Sequence, residues 1–258
     1  WPLYPLTGPR TTTDNYTTPN GGTYVEKMKL VDQWIGELTA EMDDLGIAGN
    51  TLVIVMGDNG HFTKYSPQSG YTPMIYQGGK GSTTEGGVRV DAFVRWPAGI
   101  EGGTYAGDII HVSDLFTTLA RIGGGTEFVP RDRVIDGVDQ TALLLEGEGN
   151  SRRDYVYIYE GPVLRSIVKQ EFKMHMPAPG VPGAAAPVFN VLRDPRETTP
   201  DIGGSLWSGA SFQDMLKRHQ NTIEKYPHSP LGKGVPYDGI ENLRPESELA
   251  REVFASWQ

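Results

Sequence analysis

The residues whose types and order are best suited to chemistry are an acid and an amide placed just after an apolar run. Leu52 to Val55 form that run, and its lack of alternation predicts a strand buried on both faces of a parallel sheet. Asp58 and Asn59 follow at its end, where the ligand crevice of an open α/β sheet lies. A carboxylate and an amide carbonyl are hard oxygen ligands suited to Ca²⁺ or Mg²⁺, so we predict a metal site there.

A simple turn is the other interpretation of the same residues, because Asn59-Gly60 is an ordinary turn sequence that favours positive φ. The neighbouring sequence favours a site. Lys80 stands within Gly78-Gly79-Lys80-Gly81, where the glycines leave it no bulky neighbours and let backbone N–H groups approach a ligand. An ammonium group beside a divalent cation is reasonable if a sulfate or phosphate group lies between them.

Two further residues near this sequence each allow two interpretations. His61 is either a general acid or leaving-group contact at the edge of the site, or a histidine that fixes the loop through hydrogen bonds. Arg89 is either a site residue or the ion-pair partner of Glu85, and we favour the ion pair. The stretch between His61 and Gly79 has no helix or strand period, and we expect it to cover the cleft and select the substrate.

A helix before the apolar run would help to position these residues. Thr23 as N-cap and Glu26 three residues later form a capping box, and Gly46 marks the end of the helix. Its apolar residues recur at three- and four-residue intervals and should form core against the sheet, together with Trp34: Met28, Val31, Ile35, Leu38, Met42 and Leu45. The helix and the strand would form a unit that brings Asp58 to the crevice.

Later patterns predict one more strand and one more helix, and after them a region of short antiparallel strands. Val88 to Trp96 reads as a strand, and Ser113 caps a helix that ends at Gly123. Four short strands of an antiparallel sheet and a helix then follow: 155–159, 164–168, 172–176, 188–192 and the helix 205–225. We therefore predict an α/β region over residues 1–145 and an antiparallel-sheet subdomain with a helical tail over residues 146–258.

Charge and composition limit the classes of partner. The 258 residues carry a formal net charge of −9, which argues against non-specific binding to nucleic acid or to an anionic membrane surface. No apolar run approaches the roughly eighteen residues that span a bilayer. The sequence contains no cysteine, which excludes disulfides and thiolate chemistry. An anionic substrate would need a local positive site, which Lys80 and a metal ion would supply.

Taken together, the motifs resemble the arylsulfatases, the type I sulfatases of the alkaline-phosphatase-like superfamily. None of the motifs is specific alone, but their order and spacing match the family: Gly57-Asp58-Asn59-Gly60, Gly79-Lys80-Gly81, Glu85-Gly86-Gly87-Val88-Arg89-Val90 and Trp96-Pro97. A looser likeness continues through 111–119, 136–139 and 189–197. The resemblance covers most of the chain from about Tyr24 to about Glu197.

The resemblance implies an α/β fold, namely part of an alkaline-phosphatase-like mixed sheet with flanking helices and a small C-terminal antiparallel sheet. It implies hydrolysis of a sulfate ester by the intact protein. A divalent cation, Ca²⁺ or else Mg²⁺, would hold the sulfate oxygens, with Asp58 and Asn59 as two of its ligands. Lys80 would hold a sulfate oxygen and stabilise the leaving oxygen, and His61 is the second catalytic candidate. Family members suggest a periplasmic or secreted protein.

One part of the family pattern is absent from the sequence. The sulfatase nucleophile is a formylglycine made from a Cys/Ser-x-Pro-x-Arg motif, which does not occur here. The family carries this motif and two further acidic metal ligands in an N-terminal half. We therefore expect this chain to be the C-terminal portion, to need that half as its partner, and to be inactive alone. Two alternatives remain: a phosphodiesterase or phosphonate hydrolase of the same superfamily, and a truncated chain that acts as a binding module.

Overall fold

The computed structural model describes residues 22–61, 75–146, 150–177 and 186–228. These ranges contain helices and two antiparallel sheets, in the order α1 Gly22–Asp44, β1 Val53–Met56, α2 Glu85–Val88, β2 Ala92–Arg95, α3 Asp114–Ile122, α4 Thr141–Glu146, β3 Tyr155–Glu160, β4 Val163–Lys169, β5 Phe172–His175, β6 Val188–Asn190 and α5 Ile202–Lys225. None of the helices in these ranges is long and apolar enough to cross a membrane. The predicted loop between His61 and Gly79, the segment between the third and fourth predicted strands and the part of the helical tail after residue 228 lie wholly or mostly outside the described residues.

Helix α1 confirms the predicted end but not the predicted start. It begins at Gly22, so Thr23 lies inside the helix and is not its N-cap. At the other end, Gly46 has a φ of +69°. Its N–H donates to Asp43 O at 3.0 Å, and Ile47 N donates to Met42 O at 3.0 Å. A glycine in the left-handed region allows these bonds, which satisfy the last carbonyl groups of the helix.

The apolar stripe of α1 is less buried than its spacing predicts. Val31, Ile35 and Met42 are half-buried. Other members of the stripe are exposed: Met28, Trp34, Leu38 and Leu45. The prediction that the whole stripe forms core is therefore wrong for the described residues, because nothing in the described ranges covers these exposed side chains.

Strand β1 has a different partner from the predicted one. It pairs antiparallel with β2, with Val53 opposite Arg95 and Met56 opposite Ala92. Its first three residues are half-buried and Met56 is exposed, so within the described residues the expectation of a parallel strand buried on both faces is wrong. An apolar run without alternation indicates that both faces can be covered, but not the direction of the neighbouring strand.

The predicted strand from Val88 to Trp96 is shortened at its start. Residues Glu85–Val88 form the one-turn helix α2, and only Ala92–Arg95 form a strand. Two contacts tie β2 to the end of α1 and the following turn. Arg95 forms an ion pair with Asp43 at 2.9 Å, and Trp96 Nε1 donates to Gly49 O at 2.8 Å.

Helix α3 has the predicted bounds, with Ser113 at the N-cap position and Gly123 at the C-cap, but the Ser113 side chain forms no cap hydrogen bond, so the prediction that it caps the helix is wrong in that respect. Its first residue, Asp114, is fully buried. The carboxylate accepts N–H bonds from His111 at 2.9 Å and Val138 at 2.7 Å, and it pairs with the Arg153 guanidinium at 2.6 Å. These bonds join α3 to the chain that leads into the second sheet.

The second sheet confirms the prediction of four short antiparallel strands, in the order β3-β4-β5-β6. Helix α5 covers one face of it, and a core forms between them from Ile167, Met174, Val188, Phe212 and Met215. The helix begins at Ile202, three residues before the predicted start. Asp201 caps it, because its Oδ1 accepts the Gly204 N–H at 2.7 Å.

Candidate functional site

The predicted metal ligands lie in the loop that follows β1. Gly57 N donates to Asp91 O at 3.2 Å, which anchors the start of this loop to the chain before β2. Asp58 is exposed and Asn59 is half-buried. Asn59 Nδ2 donates to Gly60 O at 2.8 Å, so the amide nitrogen is fixed against the loop. Its other terminal atom is the carbonyl oxygen Oδ1, the atom with which an Asn binds a cation.

The surroundings of Asp58 favour its charged form. Partial loss of hydration raises the pKa of its carboxyl group, but the opposing influences are larger and the net pKa is lowered. The largest of these is the positive charge of the chain's N-terminal amino group, followed by the backbone N–H groups of Asp58 and Asn59 and the positive charge of Lys80. A carboxyl group must be ionised to bind a metal ion, so this environment suits a ligand.

Three glycine-rich segments at this site interlock through their backbones. Gly60 N donates to Gly87 O at 3.0 Å. A Cβ atom on Gly60 would lie 1.8 Å from Gly86 O, and one on Gly87 would lie 2.1 Å from Ser82 O. A side chain at either position would therefore separate the segments. Gly60 and Gly87 therefore serve close packing of chain against chain.

This packing brings Lys80 beside the loop that carries Asp58. Lys80 N donates to His61 O at 2.6 Å, and Gly86 N donates to Gln77 O at 2.8 Å. Gly78 and Gly81, on either side of the lysine, have φ values of +79° and +89°. These left-handed conformations favour glycine and form the turn in which Lys80 is exposed. Lys80 and Asp58, which are far apart in sequence, thus belong to one surface region.

His61 occupies the junction between the two loops. Its main-chain oxygen accepts the Lys80 bond, and its ring is close enough to Gly86 that a Cβ there would lie 2.9 Å from Cε1. The residue is half-buried. Its backbone contributes to fixing the loop, and its imidazole lies in the same region as Lys80. Both roles considered for His61 are compatible with this position.

A buried cluster of charged side chains holds the start of α2 beside the site. Of its contacts, the sequence predicted only the Glu85–Arg89 pair. Lys173 on β5 is fully buried, and its Nζ lies 3.1 Å from Glu85 Oε1 and 3.3 Å from Glu197 Oε1. Glu197 Oε1 also accepts the Glu85 N–H at 2.7 Å, and Oε2 bonds to His175 Nε2. Arg89 Nε donates to Glu85 Oε2 at 2.7 Å, which confirms the favoured ion pair.

Glu197 adopts an unusual backbone conformation within this cluster. Its φ is +51°, in the left-handed region, which costs a residue with a Cβ about 1–2 kcal/mol. Burial raises the pKa of its carboxyl group. The bond from His175, the charge of Lys173 and the Glu85 N–H together lower it by more, so the net pKa is lowered. Glu197 is therefore an ionised group that holds the N-terminus of α2 in place.

The sequence carried only a weak signal of this cluster. Phe172, Lys173, Met174 and His175 alternate along β5, which predicts that the lysine and histidine face solvent. In the structure Met174 lies in the core with α5, and the opposite face of the sheet is covered by the loop before α2. Ser166 Oγ on β4 donates to Thr83 O at 3.4 Å from the same face. A cover supplied by a distant loop cannot be read from strand periodicity.

The residues present fit part of a divalent metal site. In the part of the chain that the structure describes, no group of three or more His, Asp or Glu side chains could hold a metal ion. Asp58 and Asn59 supply two hard oxygen ligands, whereas Ca²⁺ takes about six to eight. The pair suits Ca²⁺ or Mg²⁺ in its chemistry, and it is a partial ligand set.

Comparison with solved structures defines the class of protein. The chain is similar to the PsFucS1 sulfatase from Pseudoalteromonas sp., with a TM-score of 0.74 and 31% identity over 86% of this chain and 48% of that one. The fold is therefore the α/β fold of the alkaline-phosphatase-like superfamily, with the small antiparallel sheet as its subdomain.

Sequence comparison agrees with the structural one. The family described as Sulfatase matches residues 6–125. The chain is 31% identical to the steryl-sulfatase of Rattus norvegicus, over 80% of this chain and 42% of that protein. It is 33% identical to the N-acetylgalactosamine-6-sulfatase of Sus scrofa, over 87% of this chain and 47% of that protein. The chain belongs to the sulfatase family, and it spans about half the length of these relatives.

Proposed function

We propose that the intact protein hydrolyses sulfate esters and that this chain supplies part of the metal and sulfate site. The observation that carries the proposal is the 2.6 Å bond from Lys80 N to His61 O. It holds the glycine-flanked lysine beside the Asp58-Asn59 loop, although about twenty residues of sequence separate them. The three relatives reported above are named as sulfatases, which supports the same reaction.

Each side chain of the proposed site has a role that follows from its charge. Asp58 and Asn59 would hold a divalent cation, for which we propose Ca²⁺, and a bound cation would polarise the sulfate and neutralise its charge. Lys80 donates to a sulfate oxygen and stabilises negative charge on the leaving oxygen. The imidazole of His61 protonates the leaving oxygen or donates a hydrogen bond to it. The nucleophile and the remaining ligands come from sequence other than these 258 residues.

The buried cluster around Lys173 keeps this arrangement in position. It fixes Glu85 at the start of α2. Within α2, Gly87 O accepts the Gly60 N–H and Gly86 N donates to Gln77 O. Both loops of the site therefore rest on one short helix. Geometry held in this way is what a transition-state stabiliser requires, because a donor displaced by about 1 Å loses much of its effect.

We further propose that the partner of this chain is the rest of the catalytic domain. Exposed apolar residues occur on several elements, among them Leu38 on α1 at 53%, Phe93 on β2 at 70% and Phe116 on α3 at 50%. The relatives are about twice as long as this chain, which gives a polypeptide of suitable size to cover them. Limited proteolysis of the intact protein tests this: the three residues should be protected there and accessible in the isolated 258-residue chain.

The family resemblance also leads us to propose a location outside the cytoplasm, periplasmic or secreted. Fractionation of the producing cells, followed by detection of the intact protein, tests this location directly. Recovery in the cytoplasmic fraction alone would contradict it.

Assays of the intact protein with paired substrates test the reaction. An aryl sulfate should be hydrolysed faster than the matching aryl phosphodiester or phosphonate ester, and removal of Ca²⁺ with a chelator should abolish the activity. The 258-residue chain alone should hydrolyse none of them, because it lacks a formylglycine precursor. A preference for the phosphodiester would instead favour the phosphodiesterase alternative, and an intact protein inactive on all of them would favour the binding module.

A further inference from the structure

A pocket on the C-terminal subdomain shares no lining residue with the proposed sulfate site. It is a pocket of about 270 Å³ where the β4–β5 turn, the end of β6 and the start of α5 meet. Five of its lining residues carry the argument: Glu171, Asn190, Arg193, Asp201 and Trp207. This volume lies slightly below the range of about 300–1,000 Å³ for drug-sized ligands, so the pocket holds a single ring.

One wall of the pocket is an exposed aromatic surface. Trp207 on α5 is 90% exposed, although tryptophan side chains are on average highly buried. The helix can place it there because Gly204, one turn earlier, lies directly on the sheet. A Cβ on Gly204 would be 2.5 Å from Phe172 Cε1, so any larger residue would lift the start of α5 away from β5.

The amide of Asn190 supplies a hydrogen-bond donor to the pocket, and bonds to the backbone hold this amide in a fixed orientation. Asn190 is 8% exposed, and its Oδ1 accepts the N–H groups of Leu192 at 3.2 Å and Arg193 at 3.1 Å. Its Nδ2 makes no hydrogen bond to another described residue, and it is not among the side-chain atoms wholly shielded from solvent. A buried amide that keeps a donor for the pocket indicates a polar ligand.

Charged groups surround this donor. Glu171 and Arg193 form no side-chain hydrogen bond or ion pair within the described ranges. Asp201 uses Oδ1 to cap α5, which leaves Oδ2 as an acceptor. The pocket thus offers two carboxylates and one guanidinium. The excess of negative charge disfavours a sulfate or phosphate group, and the polar lining disfavours an apolar peptide.

We propose that this pocket binds one uncharged sugar ring of a carbohydrate, with the C–H face of the ring on the Trp207 indole. A sugar has both an apolar face and hydroxyl groups that donate and accept, which matches an aromatic wall beside an amide, carboxylates and a guanidinium. Glu171 and Asp201 accept from the hydroxyls, and Asn190 and Arg193 donate to them. The site is separate from that of Lys80, and the inference does not require sulfatase activity.

Saturation-transfer NMR with the intact protein tests the proposal. The probes are methyl glycosides of glucose, galactose, fucose and N-acetylgalactosamine at millimolar concentration, where single-ring affinities of about 1 mM remain measurable. At least one glycoside should receive signal from the protein. Trp207→Ala should abolish the signal and Arg193→Gln should weaken binding at least about fivefold, which is about 1 kcal/mol.

Matched variants identify the site. Leu206→Ala removes a similarly exposed apolar side chain one residue away, outside the pocket, and should leave binding unchanged. Trp207→Phe keeps a flat ring and should retain binding, and Lys80→Ala should have no effect. Absence of signal from every probe would overturn the proposal, as would binding that survives Trp207→Ala or disappears in Lys80→Ala. A Trp207→Ala change that alters only the oligomeric state would instead identify a protein interface.

Discussion

Lys80 is the residue on which the chemistry of the proposed site most depends. Its backbone is fixed by His61 O, while its side chain is exposed between glycines that offer it no packing partner. A positive charge held in this way has little to contribute to folding. It is suited to act on an anion brought to the Asp58-Asn59 loop.

Lys80→Ala in the intact protein should lower kcat for a sulfate ester by a factor of about 10² or more, because it removes a stabiliser of transition-state charge. The free energy of unfolding should change by less than about 0.5 kcal/mol, since an exposed lysine contributes little to stability. Steady-state kinetics and urea titration measure the two quantities. Lys29→Ala, which removes an exposed lysine on α1, is the control and should change neither. Unchanged turnover in a folded Lys80→Ala protein would make the lysine a solvated loop charge.

At the scale of elements, the site is an assembly of loops on the one-turn helix α2. Gly60 N donates to this helix, the helix donates to Gln77 O, and the buried cluster of Glu85, Lys173 and Glu197 holds its start. The glycines are essential to this assembly because a single Cβ would separate the backbones.

Gly60→Ala should therefore destabilise the protein and lower its activity, since its Cβ would lie 1.8 Å from Gly86 O. We expect a loss of about 1–3 kcal/mol in the free energy of unfolding, as for overpacking elsewhere. Gly36→Ala is the control, because the added Cβ on α1 meets nothing within 4 Å. That change should instead stabilise by up to about 1 kcal/mol through helix propensity. Equal effects of the two substitutions in urea titrations would contradict the proposed packing.

Helix α3 depends on a different buried contact, between Asp114 and Arg153. Arg153→Ala should lower the free energy of unfolding by about 3–5 kcal/mol, because it leaves a buried carboxylate without its partner. Arg133→Ala breaks an exposed pair, with side chains 65% and 70% exposed, and should leave the free energy of unfolding nearly unchanged. Chemical denaturation of both variants gives the comparison. A small loss for Arg153→Ala would show that the Asp114 carboxylate is satisfied by backbone N–H groups alone.

For the molecule as a whole, two histidines should make stability depend on pH. Burial lowers the pKa of His111, and the charge of Arg153 lowers it further. Burial and the charge of His228 lower the pKa of His219, which stacks on Tyr157 with ring centroids 3.8 Å apart. In the unfolded chain both should titrate near the ordinary value of about 6.5.

The unfolded state will therefore bind protons first as the pH falls, so this contribution to stability is present above about pH 6.5 and decreases below it. Carboxyl groups with lowered pKa, such as those of Asp114 and Glu197, contribute a separate loss at more acidic pH, below their ordinary values of about 4. Urea titrations between pH 7.5 and 5 measure the first effect. His219→Gln should reduce its slope, and a stability that rises on acidification in this window would contradict the assignment.

Patterns within single elements were determined by the sequence alone. The four strands of the small sheet, both ends of α3, the glycine after α1 and the Glu85–Arg89 pair follow from alternation, capping and short spacing. These features depend on neighbours a few residues away. Local sequence contains that information directly.

Only the tertiary structure decided which distant parts of the chain meet. The antiparallel pairing of β1, the exposure of the α1 stripe and the burial of Lys173 were not predicted. Their causes are contacts across long separations, such as the bond from Glu85 N to Glu197 across 112 residues. The local pattern of β5 is the same whether or not a loop covers its polar face. Burial of its lysine depends on two carboxylates that the fold alone brings to it.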